Sequence, residues 1–456
     1  MRHLLGLDDT DSRLGHCTTH LGYLVVRELR RIGCTFPTYP RLVRLNPNVP
    51  FKTRGNAAVC VEFESDDGER AFQAAEDLLE AEADVENGAN AALVMTRAES
   101  EGDRSFARRI YGRAISRLVN DRGVLHGISA TEVRHVELGN GMGIVGAVAS
   151  LGFPYPTEDH TYELIAYRMP ENCGTTRSVD RESVKRMEIE TFPRTFNSYD
   201  HESGRMLVAP TGPDPVLLGV RGDSPLTVLE AFRRIRIGEE VLGHVIYATN
   251  QCTDAHLNDR LSLPLSAFRA GWLEGEVASK EPVQGGHLVI GLRLENLSVE
   301  ECMVYEPSGD LRRVANFLIP GDVVRVSGGV RRASTRHPKV INVEKIEVLS
   351  ISKKTSRANP RCGDCRLSMK SEGKGKGYQC RKCGAKTSRG ERPPEVATAI
   401  KRDIRLGTYL PSPRAQRHLT KQLIRYGNEL FIGHDLVEGW FAETAETPER
   451  LKIVMA

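Results

Sequence analysis

Four cysteines set the tightest constraint on this chain. Cys362-x2-Cys365 is followed, fourteen residues later, by Cys380-x2-Cys383. Two thiolate pairs at this spacing match tetrahedral zinc ligation. With sulfur at all four corners no coordination position stays open, so the expected Zn²⁺ is structural. Gly363 and Gly384 fall in the knuckles, where the backbone turns tightly. A module this small leaves most of the 456 residues to other domains.

The charge distribution marks the same region. Net charge is only +3, yet residues 352–427 carry twenty Lys and Arg against five Asp and Glu. Residues 64–103 are the opposite, with thirteen acids against two Arg. A basic block on an otherwise acidic protein fits a polyanion partner, although a solvated tail has the same composition. Between the knuckles runs KSEGKGKGYQ. Lys374 and Lys376 suit phosphates and Tyr378 suits base stacking, with Arg381 and Lys382 adding charge in the second knuckle. The other six cysteines are scattered, and no signal peptide or long apolar run precedes them. They read as buried thiols of a cytoplasmic protein without a membrane partner.

The remaining pattern is multidomain α+β. Residues 1–155 alternate strands (2–7, 39–45, 57–64, 91–97, 132–138) with helices at 18–32 and 68–82, an α/β domain. Over 156–262 the order is strand 161–169, helix 178–189, strands 205–209 and 216–221, helix 225–236 and strand 241–249. That βαββαβ order is ferredoxin-like. Residues 263–352 hold five alternating runs, which suit an OB-fold barrel; a small SH3-like barrel is the alternative. The zinc ribbon spans 353–393. A basic segment, 394–456, carries expected helices near 394–406 and 412–426, the second opened by Ser412-Pro413.

The stretch GLDDTDSRLGHCT (residues 6–18) carries the chemistry. An apolar strand delivers Asp8 and Asp9 at its C-terminal end, where α/β sheets place ligands. With Asp11 they form a hard-oxygen set suited to Mg²⁺, which takes one or two carboxylates plus substrate phosphates. Thr18 opens the following helix, whose free N–H groups suit a phosphoryl group. Asp, Ser and Thr also serve as ordinary turn and cap residues. Two further stretches suit phosphates: Lys52, Arg54, Gly55 and Asn56 in FKTRGN, and Gly141 and Gly143 in GNGMG, which equally suit close helix packing. Asp214, in the turn PTGPDP, suits a cation or a plain turn. Asp254 and His256 can be read as ligands, but a lone His is more often ordinary surface or core, and the histidines show no metal-ligand spacing such as HExxH.

GLDDTDS, GHCTTHLG, PFKTRGN, GNGMGIVGA, VAPTGPDPVLLGVRGD, TNQCTDAHL and the four-cysteine ribbon together resemble the archaeal tRNA(Ile) 2-agmatinylcytidine synthetases, in order along essentially the whole chain. The resemblance implies a kinase-like domain, a ferredoxin-like domain, an OB fold and a zinc ribbon. It implies that ATP is cleaved while agmatine is joined to the 2-carbon of the wobble cytidine in the isoleucine tRNA that decodes AUA. On the family's pattern Asp8, Asp9 and Asp11 hold Mg²⁺, Thr18 is phosphorylated, and Lys52, Arg54 and Asn56 contact ATP. The OB fold and ribbon grip the tRNA, and Asp214 is the candidate for agmatine's guanidinium. One departure is Cys252 in TNQCTDAHL, where glycine is expected. That matters only if the backbone there needs a positive φ.

From the residues alone, two rivals stand. One is a binding protein in which barrel and ribbon hold single strands without ATP. The other is an ATP-dependent RNA modifier using a different amine. The oligomeric state is not legible.

Overall fold

The computed structural model describes residues 1–52, 55–335, 338–352, 356–357, 359–387, 395–396 and 402–443. Arg54 and parts of the expected helix 394–406 lie outside them. No helix among the described residues is long and apolar enough to cross a membrane.

The first part is built from strand β1 (Arg2–Asp8), helix α1 (Thr18–Arg31), strands β2 (Arg41–Arg44) and β3 (Ala57–Glu64), and helix α2 (Gly68–Glu82). Strand β4 (Ala92–Arg97), helices α3 (Glu101–Ala114) and α4 (Asp121–Ile128), strand β5 (Arg134–Glu137) and helix α5 (Ile144–Leu151) follow. β1 pairs antiparallel with both β3 and β4, so Leu5 lies opposite Val61 on one side and Met95 on the other. Its LLGL run is therefore buried on both faces. α1 and α2 cover one face, and α2 starts where Asp67 accepts the Arg70 N–H. α3, α4 and α5 cover the other. α5 is apolar almost all round, as a helix inside two layers must be. It lies so close to β1 that a Cβ on Gly6 would overlap the Ala147 carbonyl. That contact fixes the start of α5 beside Asp8.

The second part comprises β6 (Thr161–Arg168), α6 (Arg181–Thr191), β7 (Tyr199–Asp200), β8 (Arg205–Met206), β9 (Val216–Gly222), α7 (Pro225–Arg234) and β10 (Val241–Thr249). The expected strand 205–209 is only two residues long and pairs with β7 in a separate ribbon. The Val208 carbonyl still accepts from Gly219 N–H, so this segment runs along the β9 edge without joining the sheet as a full strand.

The two parts are one sheet, of order β5-β4-β1-β3-β2-β10-β6-β9. The join is a short parallel pairing, Ala248 with Arg41 and Thr249 with Leu42. The other half of the same β10 edge is taken by strand Phe441–Glu443.

Strands β11 (Ala270–Val283), β12 (His287–Arg293) and β13 (Val299–Val304), helix α8 (Asp310–Phe317), and strands β14 (Val323–Arg331) and β15 (Val340–Ser350) form a closed barrel. Its order is β13-β12-β11-β14-β15, closed by parallel pairing of β13 with β15. The ribbon contains the hairpin Lys370–Ser371 with Tyr378–Gln379.

The expected helix 412–426 is absent. Only short 3₁₀ turns occur, at Pro413–Ala415 and Leu423–Arg425. Residues 402–406 are not helical, and Glu395–Val396 pairs with Ser356–Arg357 as strand. Tertiary partners override local helix preference here. Ser412 bonds Glu202 rather than capping a helix, Arg414 pairs with Asp200 and Glu202, and Arg425 pairs with Asp159. Residues 402–443 thus form a strap that returns from the ribbon across the barrel and the main sheet.

Candidate active site

One cavity of about 990 Å³ lies at the join of the two sheet halves. It gathers Asp8, Asp9, Asp11, Thr18, Lys52, Gly55, Asn56, Gly143 and Asp214, residues drawn from separated stretches of the chain. Gly141 is not in its wall. That glycine has φ 72° and packs against Glu137, so it serves the turn before α5.

The acidic wall comes from the end of β1. The Asp8 carboxyl is held well above its ordinary range by burial first, then by its neighbours Asp9 and Asp11. Asp9 donates its N–H to Asp8 Oδ1 at 2.8 Å and stands at φ 55°. Burial and Asp11 push its carboxyl up to about 6 against opposing hydrogen bonds from Asn90. Carboxylates so placed call for a cation. Among the described residues only the four ribbon cysteines converge their donor atoms within 4.8 Å. A divalent ion at the aspartates would therefore use one or two of them and complete its shell with other oxygens.

Thr18 is buried at the start of α1, its Oγ1 accepting from Thr10 N–H at 3.4 Å and lying 3.3 Å from the Thr10 hydroxyl. The second sheet half holds this helix end in place. The hydroxyls of Tyr167 and Tyr247 both donate to the Thr19 carbonyl, at 2.8 and 2.7 Å.

The opposite wall is basic, and most of it was not legible in the sequence. Glu163 on β6 holds Arg221 at 3.0 Å and Arg44 at 3.9 Å. Gln251 donates to Glu163 Oε2, the oxygen that also pairs with Arg44. Burial lowers Arg44 to about 10, with Glu163 opposing. Lys52 lies beside it, lowered by burial and by Arg417. His418, from the strap, has Nδ1 at 3.1 Å from both Gln251 Oε1 and Arg221 Nη2. These residues sit on unrelated segments, and only the β2–β10 join brings them together. Asn56 braces the loop, its amide donating to the Asn46 carbonyl at 2.8 Å.

Asp214 is in the wall but is already paired with Arg177 at 3.3 Å, and that guanidinium also donates to the Gly212, Asp214 and Val216 carbonyls. Asp254 and His256 are structural. Asp254 accepts from Lys345 and from Lys421 N–H, and His256 is buried against Glu344 at 3.0 Å. In the ribbon Lys374, Lys376, Arg381 and Lys382 are exposed and Tyr378 is half-buried, far along the chain from this cavity.

Family models for three domains match in chain order. They are the TiaS TCKD domain over residues 4–76, the TiaS FLD domain over 141–256 and the TiaS C-terminal zinc ribbon domain over 359–404. An isoleucine-tRNA 2-agmatinylcytidine synthetase, TiaS of Cenarchaeum symbiosum, is 39% identical over 446 residues, covering 96% of this chain and 95% of its own. The chain belongs to the TiaS family. A crystal structure of TiaS in complex with its isoleucine tRNA and ATP matches with TM-score 0.82 and 32% identity, covering 96% of this chain and 99% of that one. A complex of TiaS with the same tRNA, AMPCPP and agmatine matches with TM-score 0.79 and 30% identity, covering 96% and 98%. The four ribbon thiols of this TiaS family member lie within 4.8 Å of one another, the donor set of a structural zinc ion. Cys252, where glycine was expected, is buried with φ 58°, so the positive-φ condition holds.

Proposed function

We propose that this chain joins agmatine to the 2-carbon of the wobble cytidine of the AUA-decoding isoleucine tRNA and cleaves ATP to do so. The observation that carries the reading is the cavity itself: half-buried Asp8 and Asp9 and buried Thr18 line the same cavity as Arg44, Lys52 and Arg221. An acidic wall for a cation opposite a basic wall for phosphates is the division a phosphoryl-transfer site needs. The relatives crystallised with tRNA, ATP, an ATP analogue and agmatine support the same reading.

The carbonyl oxygen on cytosine C2 is a poor leaving group. Once it carries a phosphoryl group from ATP, the primary amine of agmatine displaces it as phosphate and forms the new C–N bond. This chain's residues position the partners and spread charge. Arg44, Lys52 and Arg221 hold phosphate oxygens. Thr18 binds or receives a phosphoryl group at the start of α1. One or two of Asp8, Asp9 and Asp11 would ligate Mg²⁺ directly, and the ion would supply charge to neutralise phosphate. Asp214 meets agmatine's guanidinium only if it shares its carboxylate with Arg177. Arg54 contributes to the nucleotide side by its place in FKTRGN.

The finer architecture we infer is a kinase-like domain over 1–155, a ferredoxin-like domain over 156–262, an OB fold over 263–352, a ribbon over 353–393 and the basic segment 394–456. The OB label is supported by the closed order with parallel β13–β15 and α8 between β13 and β14. The ferredoxin-like label is supported by β10-β6-β9 with α6 and α7 packed on them. Barrel and ribbon, with Lys374, Lys376, Tyr378, Arg381 and Lys382, hold the tRNA. A cytoplasmic location fits the tRNA substrate named for the relatives.

The test is a single-turnover incubation with ATP, Mg²⁺, agmatine and the isoleucine tRNA transcript, read by nucleoside mass spectrometry. An agmatine adduct that vanishes with Asp9→Ala supports the reading, and the Thr18→Ala lane reports whether that hydroxyl is needed. tRNA bound with ATP untouched would overturn it in favour of a binding protein. ATP consumed without an agmatine adduct would point to another amine.

A further inference from the structure

The strap that follows the zinc ribbon places one side chain inside the cavity. His418 lies thirty-five residues beyond Cys383 in the sequence, yet it stands in the cavity wall beside Gly55 and Lys52. Its backbone is fixed like an added strand along residues 250–254: Cys252 N–H donates to the His418 carbonyl at 2.9 Å and Asp254 N–H to the Leu419 carbonyl at 2.8 Å. Its ring Nδ1 lies 3.1 Å from Arg221 Nη2, which donates to it, and 3.1 Å from Gln251 Oε1. A Cβ built on Gly55 would stand 3.3 Å from His418 Nε2, so this nitrogen is at the loop expected to hold phosphate.

The tautomer follows from the partners. A guanidinium only donates, so Arg221 Nη2 bonds a lone pair on Nδ1, and the ring proton sits on Nε2. The opposite tautomer would set an N–H against a cation. Gln251, whose Nε2 donates to Glu163, presents its Oε1 to Nδ1 and by itself would favour the opposite tautomer, but the charge-assisted bond from Arg221 is the stronger of the two contacts.

We propose that His418 is a nucleotide-binding residue that donates its Nε2–H to a phosphate oxygen of ATP as a neutral group. The surroundings explain why neutrality is useful. Arg44 is the largest influence holding the imidazole well below its ordinary pKa, followed by burial, then Arg221, Lys52 and Arg417. A site with that many cations gains a further directed donor without a further charge to repel them. His418 adds orientation where the cations add attraction. It also makes the nucleotide site depend on a segment that reaches it only by way of the ribbon.

This inference rests on the reading that ATP is the nucleotide, and its test separates the two. ATP KM and kcat are measured on the full chain with tRNA and agmatine saturating, for wild type, His418→Ala, His418→Asn and His418→Gln. The Gln amide nitrogen reaches the place of Nε2, whereas that of Asn reaches the place of Nδ1. The expected result is a rise in ATP KM on the order of 10- to 100-fold for Ala and Asn, the loss of one hydrogen bond to a charged group. Gln should stay within a few-fold of wild type, and agmatine KM should not move in any variant. Asn and Gln are alike in polarity and close in size, so a purely structural role would affect them together. Equal KM values across the variants, or equal losses for Asn and Gln, would overturn the proposal while wild-type activity keeps the ATP reading. A wild type that consumes no ATP would overturn both.

Discussion

The carboxylate of Asp8 lies directly against Gly146, near the start of α5, so that a Cβ on that glycine would overlap Asp8 Oδ2. Helix α5 therefore leaves out a side chain where the Asp8 carboxylate needs room. A carboxylate at the first turn of a helix is also electrostatically favoured.

Gly146→Ala should turn Asp8 away from the cavity. Alanine is the better helix former, by about 1 kcal/mol, so the fold should survive. Activity should fall by about 100-fold or more, the scale expected when one positioned charge at a reacting phosphate is misplaced. Adduct formation and circular dichroism on the same preparation check this. An active Gly146→Ala protein would show that Asp8 is not needed where it stands.

Cys252 occupies a left-handed backbone conformation that costs an L-residue about 1–2 kcal/mol. Both Cys252→Ala and Cys252→Gly remove the thiol, but only glycine relieves the backbone. The glycine variant should be more stable than the alanine variant by about 1 kcal/mol, the reverse of the usual order. Chemical denaturation of the pair measures it.

Burial raises the Glu188 carboxyl to about 7, with Asp200 adding and the Ser198 and Tyr199 N–H groups opposing. The native state then binds more protons than the unfolded chain between about pH 4.5 and 7. Stability attributable to this group falls as pH rises through that window. Glu188→Gln should melt above wild type at pH 8, by about 2–4 °C, and match it near pH 4. Melting curves across pH test the sign. A gap that widens toward acid would refute it.

The ribbon has almost no apolar core of its own: Cys362, Cys380 and Met369 are its buried cluster. Zinc must supply the folding energy. Chelation, or Cys365→Ser, should release one zinc ion per chain and expose residues 359–387 to protease. tRNA affinity should fall by about tenfold or more, with a shallower salt dependence, as cationic contacts are lost. Metal analysis, limited proteolysis and binding at two salt concentrations follow these effects.

Local pattern carried much of the fold. α2 lies at the expected residues because an amphipathic run begins at a capping Asp67. β1 and its aspartates were readable because an apolar run ended in acids. α3 was missed although Phe106, Ala107, Ile110, Tyr111 and Ala114 form its buried face, since charged residues interrupt that stripe. α4, with two glycines in eight residues, gives little periodic signal. The strap failed as helix because its partners are distant: Arg414 pairs with Asp200 and Arg425 with Asp159, contacts no window of sequence contains. Arg44, Glu163, Arg221 and His418 were invisible for the same reason. Each is a single residue without a local motif, brought into one cavity wall by the sheet join.

That join also sets a timetable. A ribosome delivers Asp8 and Thr18 early, but His418 and the strand Phe441–Glu443 that completes the β10 edge come after nearly everything else. A nascent chain thus carries its acidic residues through most of its synthesis beside an unfinished pocket. Translation that stalls just beyond the ribbon yields a chain with all four ribbon cysteines but with a cavity that lacks His418 and a β10 edge that lacks its last strand.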